Sequence, residues 1–129
     1  MSDKRILVVD DDPDIVEYVC AFLEDNGYEV ATAGGSAAAI SELERRQVDL
    51  VIVDVLMPGR SGLDLLVTLR KDPRWCELPI VVLTGSDGVL QDGARSYQGL
   101  AAGSRGADHI LGMPLVPDEL LGTLERLGL

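Results

Sequence analysis

Short apolar runs alternate with longer segments of helical periodicity along the whole chain. The runs are bounded by turn residues or aspartates, a pattern typical of strands that are buried on both faces of a sheet. The pattern predicts five strands, at Arg5–Val9, Tyr28–Ala33, Val48–Asp54, Pro79–Thr84 and His109–Met113.

Helical segments separate these strands. Four of them are strongly periodic, and they are predicted over 13–25, 37–46, 63–71 and 117–127. Asp12 and Ser36 are predicted to cap the N-termini of the first and second helices, and Asn26-Gly27 is predicted to close the first helix. A fifth, weaker helix is predicted at Ala94–Ala102, within the segment Gly85–Gly106, which carries six glycines.

Alternating strands and helices in 129 residues predict a single α/β domain, residues 1–129, with a doubly wound five-stranded parallel sheet. Right-handed crossovers and the need to cover both faces favour the strand order 2-1-3-4-5. Ligands of such sheets bind at the carboxyl ends of the strands, beside the point where the strand order reverses. Here that point lies between the first and third strands.

Acidic and hydroxyl side chains are predicted to meet at this carboxyl edge. Asp10, Asp11 and Asp12 follow the first strand, Asp54 ends the buried third strand, and Thr84 ends the fourth. Each has a simpler interpretation when taken alone: Asp12 as a helix cap, Asp54 as a satisfied buried acid, and Thr84 as a turn residue. Together, at three strand ends, they predict a binding site.

Carboxylates that share one crevice repel one another, by about 4 kcal/mol for a pair roughly 4 Å apart at an effective dielectric near ~20. A cation relieves this repulsion, and oxygen ligands suit Mg²⁺, which usually takes one or two carboxylates plus phosphate oxygens. Beside such a metal, Asp54 could attack phosphorus to form an aspartyl phosphate. Thr84 could then donate a hydrogen bond to a phosphoryl oxygen.

Four motifs in combination resemble the receiver domain of the response regulators of two-component signalling. They are ILVVDDDPD at 6–14, DLVIVDVLMPGRSGLDLL at 49–66, PIVVLTG at 79–85, and GADHIL at 106–111 followed by Pro114. The resemblance covers nearly the whole chain. It implies a flavodoxin-like receiver fold and a role in phosphorelay signalling.

The resemblance also implies a role for each residue at the carboxyl edge. Asp54 matches the phosphoacceptor, Asp11 the direct Mg²⁺ ligand, Asp10 its water-mediated partner, and the backbone carbonyl of Leu56 a further ligand. Thr84 matches the hydroxyl that moves toward the phosphoryl group. By the same resemblance the chain is a signalling protein rather than an enzyme, with a sensor histidine kinase or phosphotransfer protein upstream and a protein target downstream.

Two positions depart from the family pattern. Met113 occupies the place of the lysine that normally pairs with the phosphoryl group, and a thioether carries no charge. Ile110 occupies the place of the switch aromatic and has no ring to rotate. The two lysines, Lys4 and Lys71, are predicted at the opposite edge of the sheet. Two cations remain as candidates to compensate, Arg60 and Arg95.

These departures motivate a second interpretation, a pseudo-receiver that serves as a phosphorylation-independent interaction module. A phosphohydrolase of the haloacid-dehalogenase type also matches the first-strand aspartates and Thr84. However, Asp14 stands where that class has Thr or Val, and its required lysine has no candidate. A flavin-binding domain is disfavoured because three aspartates after the first strand would repel a phosphate.

Composition narrows the choice of partners. A formal net charge of −11 disfavours direct contact with nucleic acid or anionic membrane, and it favours cations or a basic partner. No apolar stretch approaches the roughly 20 residues of a membrane span and no signal peptide opens the chain, so we expect a cytoplasmic protein. Cys20 and Cys76 lack metal or disulfide spacing, and the single histidine, His109, is interpreted as structural. No effector domain follows the last helix, so output is expected to run through binding or a domain outside this chain.

Overall fold

The computed structural model describes residues 4–54, 62–84, 108–112 and 116–129. Within these ranges the strands are β1 (Arg5–Val9), β2 (Glu29–Ala33), β3 (Leu50–Asp54), β4 (Ile80–Thr84) and β5 (His109–Gly112). The helices in the same ranges are α1 (Pro13–Asp25), α2 (Ser36–Arg45), α3 (Gly62–Lys71) and α4 (Pro117–Arg126). The weak helix predicted at Ala94–Ala102 lies outside the described residues. None of the described helices has the length and apolarity that a membrane crossing requires.

The five strands form one parallel sheet in the order β2-β1-β3-β4-β5, as predicted. Val9 of β1 pairs with Ala33 of β2 on one side and with Val53 of β3 on the other. The carboxyl ends of β1 and β3 therefore lie side by side. This register places the aspartates after β1 next to Asp54, at the point where the strand order reverses.

Alternate residues of each strand pack on opposite faces of the sheet, so both faces are apolar. Val51 and Val53 face the cluster that α2 and α3 cover, which includes the buried residues Ala39, Leu43, Leu65, Leu66 and Leu69. Leu50 and Ile52 face the cluster that α1 and α4 cover, which includes the buried residues Val19, Leu23, Leu120 and Leu124. A continuous apolar run in the sequence is the consequence of this two-sided burial.

The predicted N-cap residue is confirmed for α1 and is wrong for α2. The side chain of Asp12 accepts a hydrogen bond from the backbone N–H of Asp14 at 2.9 Å, which confirms it as the α1 N-cap. The predicted cap at Ser36 is wrong. Gly35, in an extended conformation, is the N-cap, and Ser36 is the first helical residue. The cap position therefore falls one residue earlier than predicted. The Oγ of Ser36 is buried and has no hydrogen-bond partner among the described residues.

The strand boundaries differ from the predictions by one or two residues, and β3 begins at Leu50 rather than at Val48. Tyr28 precedes β2 because its N–H donates to Leu23 O at the end of α1, at 3.1 Å. Pro79 precedes β4, although its carbonyl accepts from the N–H of Val51 at 3.0 Å. Met113, the predicted end of β5, lies outside the described residues.

A buried ion pair ties α3 to the amino edge of the sheet. Nη2 of Arg70 donates to Oδ2 of Asp108 at 3.0 Å, and the N–H of Ile80 donates to the same oxygen at 2.7 Å. The side chains of Arg70 and Asp108 are only 2% and 9% exposed. Nη1 of Arg70 also donates to the carbonyl oxygens of Trp75, Cys76 and Leu78, at 3.3, 3.3 and 2.6 Å. The pair therefore joins α3, the connection to β4 and the start of β5.

Candidate functional site

The carboxyl edge between β1 and β3 brings Asp10 and Asp54 together. Asp10 is the first residue after β1, and its N–H donates to Ala33 O at 3.0 Å, which extends the pairing with β2 by one residue. Asp54 is the last residue of β3 and is half-buried. Asp10 is only 3% exposed. Asp10 is therefore more buried than Asp54, although the sequence pattern had indicated Asp54 as the buried acid.

The two oxygens of Asp10 have different surroundings. Oδ1 accepts a hydrogen bond from the N–H of Asp12 at 2.9 Å. Oδ2 is buried without a hydrogen-bond partner among the described residues. An unsatisfied buried acceptor costs about 1–3 kcal/mol, and more when it is charged. This oxygen therefore requires either a proton or a cation.

Burial raises the pKa of Asp10 to about 7, from an ordinary value of 3.8. The backbone hydrogen bond from Asp12 opposes this rise, while the nearby charges of Asp54 and Asp11 add to it. Two ionised carboxylates offer acceptors only, whereas a protonated Asp10 can donate a hydrogen bond to Asp54, and that bond also raises the pKa. The pair therefore holds a proton more tightly than either carboxyl group would alone.

Asp11 and Asp12 lie at the same edge with different functions. Asp12 is exposed, and its Oδ1 is engaged as the cap of α1, so its simpler interpretation is confirmed. Asp11 is exposed, and its negative charge contributes to the raised pKa of Asp10. Asp11 therefore remains available at the edge, while Asp12 is committed to the helix.

The donor set fits Mg²⁺ rather than a metal held entirely by protein ligands. No group of three or more His, Cys, Asp or Glu side chains in the described ranges is arranged to hold a metal ion. Leu56, whose carbonyl is the predicted backbone ligand, lies outside those ranges. Asp10 and Asp54 supply two carboxyl groups, and Oδ2 of Asp10 has no hydrogen-bond partner in the part of the chain that the structure describes. Mg²⁺ usually takes one or two carboxylates and completes its octahedron with water or phosphate oxygens.

The other predicted site residues are described only in part. Thr84 is the last residue of β4, and it follows Leu83, which pairs with Asp54, so its backbone lies at the same edge. Ile110 lies in β5, where it pairs with Val82. The side chains of Thr84 and Ile110 lie outside the described part of the structure, as do Met113, Arg60 and Arg95.

The two lysines lie at the amino edge of the sheet, as predicted. Lys4 precedes β1, and its carbonyl accepts from the N–H of Glu29, the first residue of β2, at 3.0 Å. Lys71 is the last residue of α3, which leads toward the start of β4. Neither lysine is placed to meet a group bound beside Asp54.

His109 begins β5 at the amino edge, away from the carboxyl pair. Its ring is half-buried and lines a groove of about 510 Å³ between β5 and α4. Burial lowers the pKa of His109, and the charge of Arg126 adds to this effect. The neutral ring is therefore favoured, which supports a structural interpretation.

Sequence reasoning missed the outward surface of α1, which carries acidic residues around Tyr18. The signal was present, since Asp14, Glu17, Tyr18, Ala21 and Asp25 recur at helical spacing. The helix was predicted from the spacing of the apolar residues that face the core, so its outward residues were not considered.

Comparison with known proteins agrees with this fold. The family described as the response regulator receiver domain matches residues 6–124. The phosphate regulon transcriptional regulatory protein PhoB of Klebsiella pneumoniae is 33% identical over 122 residues, which are 95% of this chain and 50% of that protein. Response regulator Rre1 of Synechocystis sp. is 38% identical over 123 residues, again 95% of this chain and 50% of that protein. The chain thus spans about half the length of these relatives.

Two solved structures are similar over nearly their full length. The chemotaxis response regulator CheY4 of Vibrio cholerae superposes with a TM-score of 0.81 at 31% identity, covering 98% of this chain and 99% of that one. The response regulator TrrA of Thermotoga maritima, solved in complex with Mg²⁺-BeF, gives a TM-score of 0.80 at 33% identity, with 96% and 98% covered. With its sheet order, its paired carboxyl groups and these matches, the chain belongs to the family of response regulator receiver domains.

Proposed function

We propose that residues 1–129 form a single phosphorelay receiver domain that accepts a phosphoryl group on Asp54 with the help of Mg²⁺. The observation that carries the proposal is the pairing of Asp10 and Asp54 at the carboxyl edge, where Oδ2 of Asp10 is buried with no hydrogen-bond partner from the described ranges. The proposal gives the domain a sensor histidine kinase or phosphotransfer protein upstream and a protein target downstream. Its output runs through protein contacts in the cytoplasm.

Asp10, Asp11, Asp54 and the carbonyl of Leu56 would hold the metal. When bound, Mg²⁺ supplies positive charge that offsets the repulsion between these carboxylates and an incoming phosphoryl group. Its presence in the TrrA complex with BeF supports this assignment by similarity. The buried Oδ2 of Asp10, for which none of the described residues is a hydrogen-bond partner, supports it from the chain itself.

The chain's own residues then have distinct functions. Asp10 would lose its proton if a cation bound beside it, because a nearby cation favours the ionised carboxylate. An oxygen of ionised Asp54 attacks phosphorus in line, a new O–P bond forms, and the bond from phosphorus to the donor breaks with its electron pair leaving on the donor. Thr84, whose backbone lies beside this edge, donates its hydroxyl hydrogen bond to a phosphoryl oxygen.

The chain lacks the lysine that the family places near the phosphoacceptor. Met113 stands in place of the lysine that would pair with the phosphoryl group, and Lys4 and Lys71 lie at the opposite edge. The nucleophile and its acidic neighbours remain. Loss of the lysine is therefore expected to weaken the conformational switch more than the transfer of the phosphoryl group.

The experiment is phosphorylation by a small donor, followed by intact-protein mass measurement. The wild-type chain incubated with Mg²⁺ and acetyl phosphate is expected to gain one phosphoryl mass, and EDTA is expected to abolish the gain. Asp54→Ala should show no gain. Asp72→Asn, which changes a half-buried acid at the amino edge, is the matched control and should be labelled like wild type. Absence of the gain with every donor and kinase tried would contradict the proposal.

A phosphorylation-independent pseudo-receiver is the second candidate, and the identities of Met113 and Ile110 favour it. It uses the same fold as a constant interaction module. In cells, Asp54→Ala separates the two candidates. An unchanged phenotype would favour the pseudo-receiver, whereas a loss of signalling would favour phosphorylation.

The net charge of −11 supports a protein partner over direct nucleic-acid contact for this domain. The name of PhoB as a transcriptional regulatory protein belongs to a chain about twice as long. The phosphohydrolase and flavin-binding alternatives are set aside, since the chain belongs to the receiver family.

A further inference from the structure

The turn that joins β1 to α1 is held by successive hydrogen bonds that end on Asp10. We call residues Asp10–Asp14 the β1–α1 turn. The N–H of Asp12 donates to Oδ1 of Asp10 at 2.9 Å, and the N–H of Asp14 donates to Oδ1 of Asp12 at 2.9 Å. Each of these two aspartates therefore accepts from the backbone two residues further on. The first turn of α1 is thus connected to the buried carboxyl group of Asp10.

Asp12 is fixed in the β1–α1 turn at three points. Its N–H and its side chain make the two hydrogen bonds above, and its carbonyl accepts from the N–H of Val16 at 3.1 Å. Its backbone is extended, with φ −89° and ψ 111°. Pro13 favours this conformation, because a proline restricts the preceding residue to the extended region. Pro13 also has no N–H, so the N–H of Asp14 is the first one available to the cap.

The position of Asp12 determines how the carboxyl group of Asp10 is oriented. Asp10 is only 3% exposed, and its Oδ1 accepts from Asp12. Because the carboxyl group is planar, a bond to one oxygen limits the rotation of the whole group and so orients Oδ2 as well. Oδ2 is buried and has no hydrogen-bond partner among the described residues. It is the oxygen that remains for a cation beside Asp54, directly or through a water.

Helix capping alone would account for the side chain of Asp12, since aspartate is among the preferred N-cap residues. It does not account for the other hydrogen bond, in which the capping residue holds the more buried acid of the site. The carboxyl group of Asp12 is itself exposed and engaged by Asp14. Asp12 therefore acts on the site through its backbone and its cap rather than as a further carboxylate ligand.

We propose that Asp12 is a positioning residue for the metal site. By capping α1 it holds its own N–H against Asp10, and this bond orients Oδ2 for a bound Mg²⁺. The inference rests on the metal site of the proposed function. Groups that hold a metal ligand in place by hydrogen bonds typically contribute about 10–100-fold to metal affinity. Because the N–H of residue 12 survives a change of its side chain, the expected loss is at the low end, about tenfold.

The experiment titrates the metal-free, ¹⁵N-labelled full chain with MgCl₂ and follows the amide signals of Asp10, Asp11 and Asp12. Wild type is expected to show saturable shifts. Asp12→Ala is expected to need about tenfold more Mg²⁺ for half-saturation. Asp12→Asn keeps an oxygen that accepts from Asp14, so it should restore the affinity to within about threefold of wild type. The remaining difference is the loss of one exposed charge, which salt screens.

Asp12→Asn also separates positioning from direct ligation of the metal. A carboxylate that bound Mg²⁺ itself would lose most of its contribution on conversion to the amide. A cap loses little, because Asn and Asp are about equally good N-cap residues. Asp11→Asn, which alters a proposed ligand, sets the scale of a ligand's loss in the same titration.

Two variants separate positioning from the stability of α1. Asn26→Ala removes a hydrogen bond of 2.8 Å from Nδ2 to Phe22 O at the other end of the helix, about 20 Å away at 1.5 Å per residue. This variant is expected to lower the urea midpoint and to bind Mg²⁺ like wild type. Asp12→Gly should do the opposite. Glycine is nearly as good an N-cap, so the midpoint should fall less than in Asp12→Ala, but no side chain then accepts from Asp14. Its affinity for Mg²⁺ should therefore fall at least as far as that of Asp12→Ala.

Three results would overturn the proposal. Wild-type affinity in Asp12→Ala and Asp12→Gly would show that the cap does not orient Asp10. A loss in Asp12→Asn as large as that in Asp11→Asn would make Asp12 a metal ligand instead. An equal loss in Asn26→Ala would reduce the effect to helix stability. Absence of saturable Mg²⁺ binding by wild type is a separate outcome, because it would overturn the metal site of the proposed function together with this inference.

Discussion

Breaking the buried ion pair between Arg70 and Asp108 should destabilise the fold strongly. The two side chains are 2% and 9% exposed, and one oxygen of Asp108 accepts from both Arg70 and the N–H of Ile80. Arg70→Met removes the cation and its hydrogen bonds to three carbonyls. Asp108→Ala leaves the guanidinium buried without its carboxylate.

The magnitude follows from the burial. Removal of one partner from a buried pair typically costs about 3–5 kcal/mol, because the other charge stays in a poorly solvating environment. Each single variant is expected in this range. The double variant, Arg70→Met with Asp108→Ala, should cost well below the sum of the two, since no lone charge remains. Losses of this size are a large part of a typical stability of about 5–15 kcal/mol.

Urea unfolding measures these changes, and native-state hydrogen exchange locates them. Exchange should accelerate most at the amides of β5 and at Ile80. Arg45→Met is the control, because its pair with Glu42 has an arginine side chain that is 65% exposed. Exposed pairs of this kind contribute about 0–1 kcal/mol. A loss below about 1 kcal/mol for Arg70→Met, or additive single and double variants, would refute this reasoning.

Two further predictions concern buried polar atoms. The pKa of Asp10 is raised from 3.8 to about 7 in the folded state, so the free energy of unfolding of the metal-free protein should fall as pH rises through this window. Asp10→Asn stays neutral, so urea unfolding in EDTA should show it gaining stability relative to wild type with rising pH. A constant difference would contradict the shift. Ser36→Ala removes a buried Oγ without a partner and should stabilise by up to about 1 kcal/mol in thermal unfolding, whereas a loss would indicate a hidden partner.

The fold was predictable because its determinants are local. The first four residues of β3, from Leu50 to Val53, form a continuous apolar run because alternate residues pack against helices on opposite faces. Asp12 followed by Pro13 specifies the start of α1 within two residues. Once five strands alternate with helices, crossover handedness leaves few strand orders.

The details that sequence reasoning missed depend on distant neighbours. Asp10 is more buried than Asp54 because its N–H continues the pairing to Ala33 of β2, which no local pattern encodes. Arg70 and Asp108 form an ion pair although they are 38 positions apart in the sequence. The cap of α2 falls on Gly35, since either residue of a Gly-Ser pair can occupy that position.

Borohydride reduction after phosphorylation locates an acyl phosphate directly, because it converts the modified aspartate to homoserine. The protein is treated with Mg²⁺ and acetyl phosphate, reduced, digested and sequenced by mass spectrometry. The predicted result is homoserine at position 54 alone, with Asp10 and Asp11 unchanged. Conversion at another aspartate with Asp54 intact, or no conversion with any donor, would contradict the assignment of Asp54 as the phosphoacceptor.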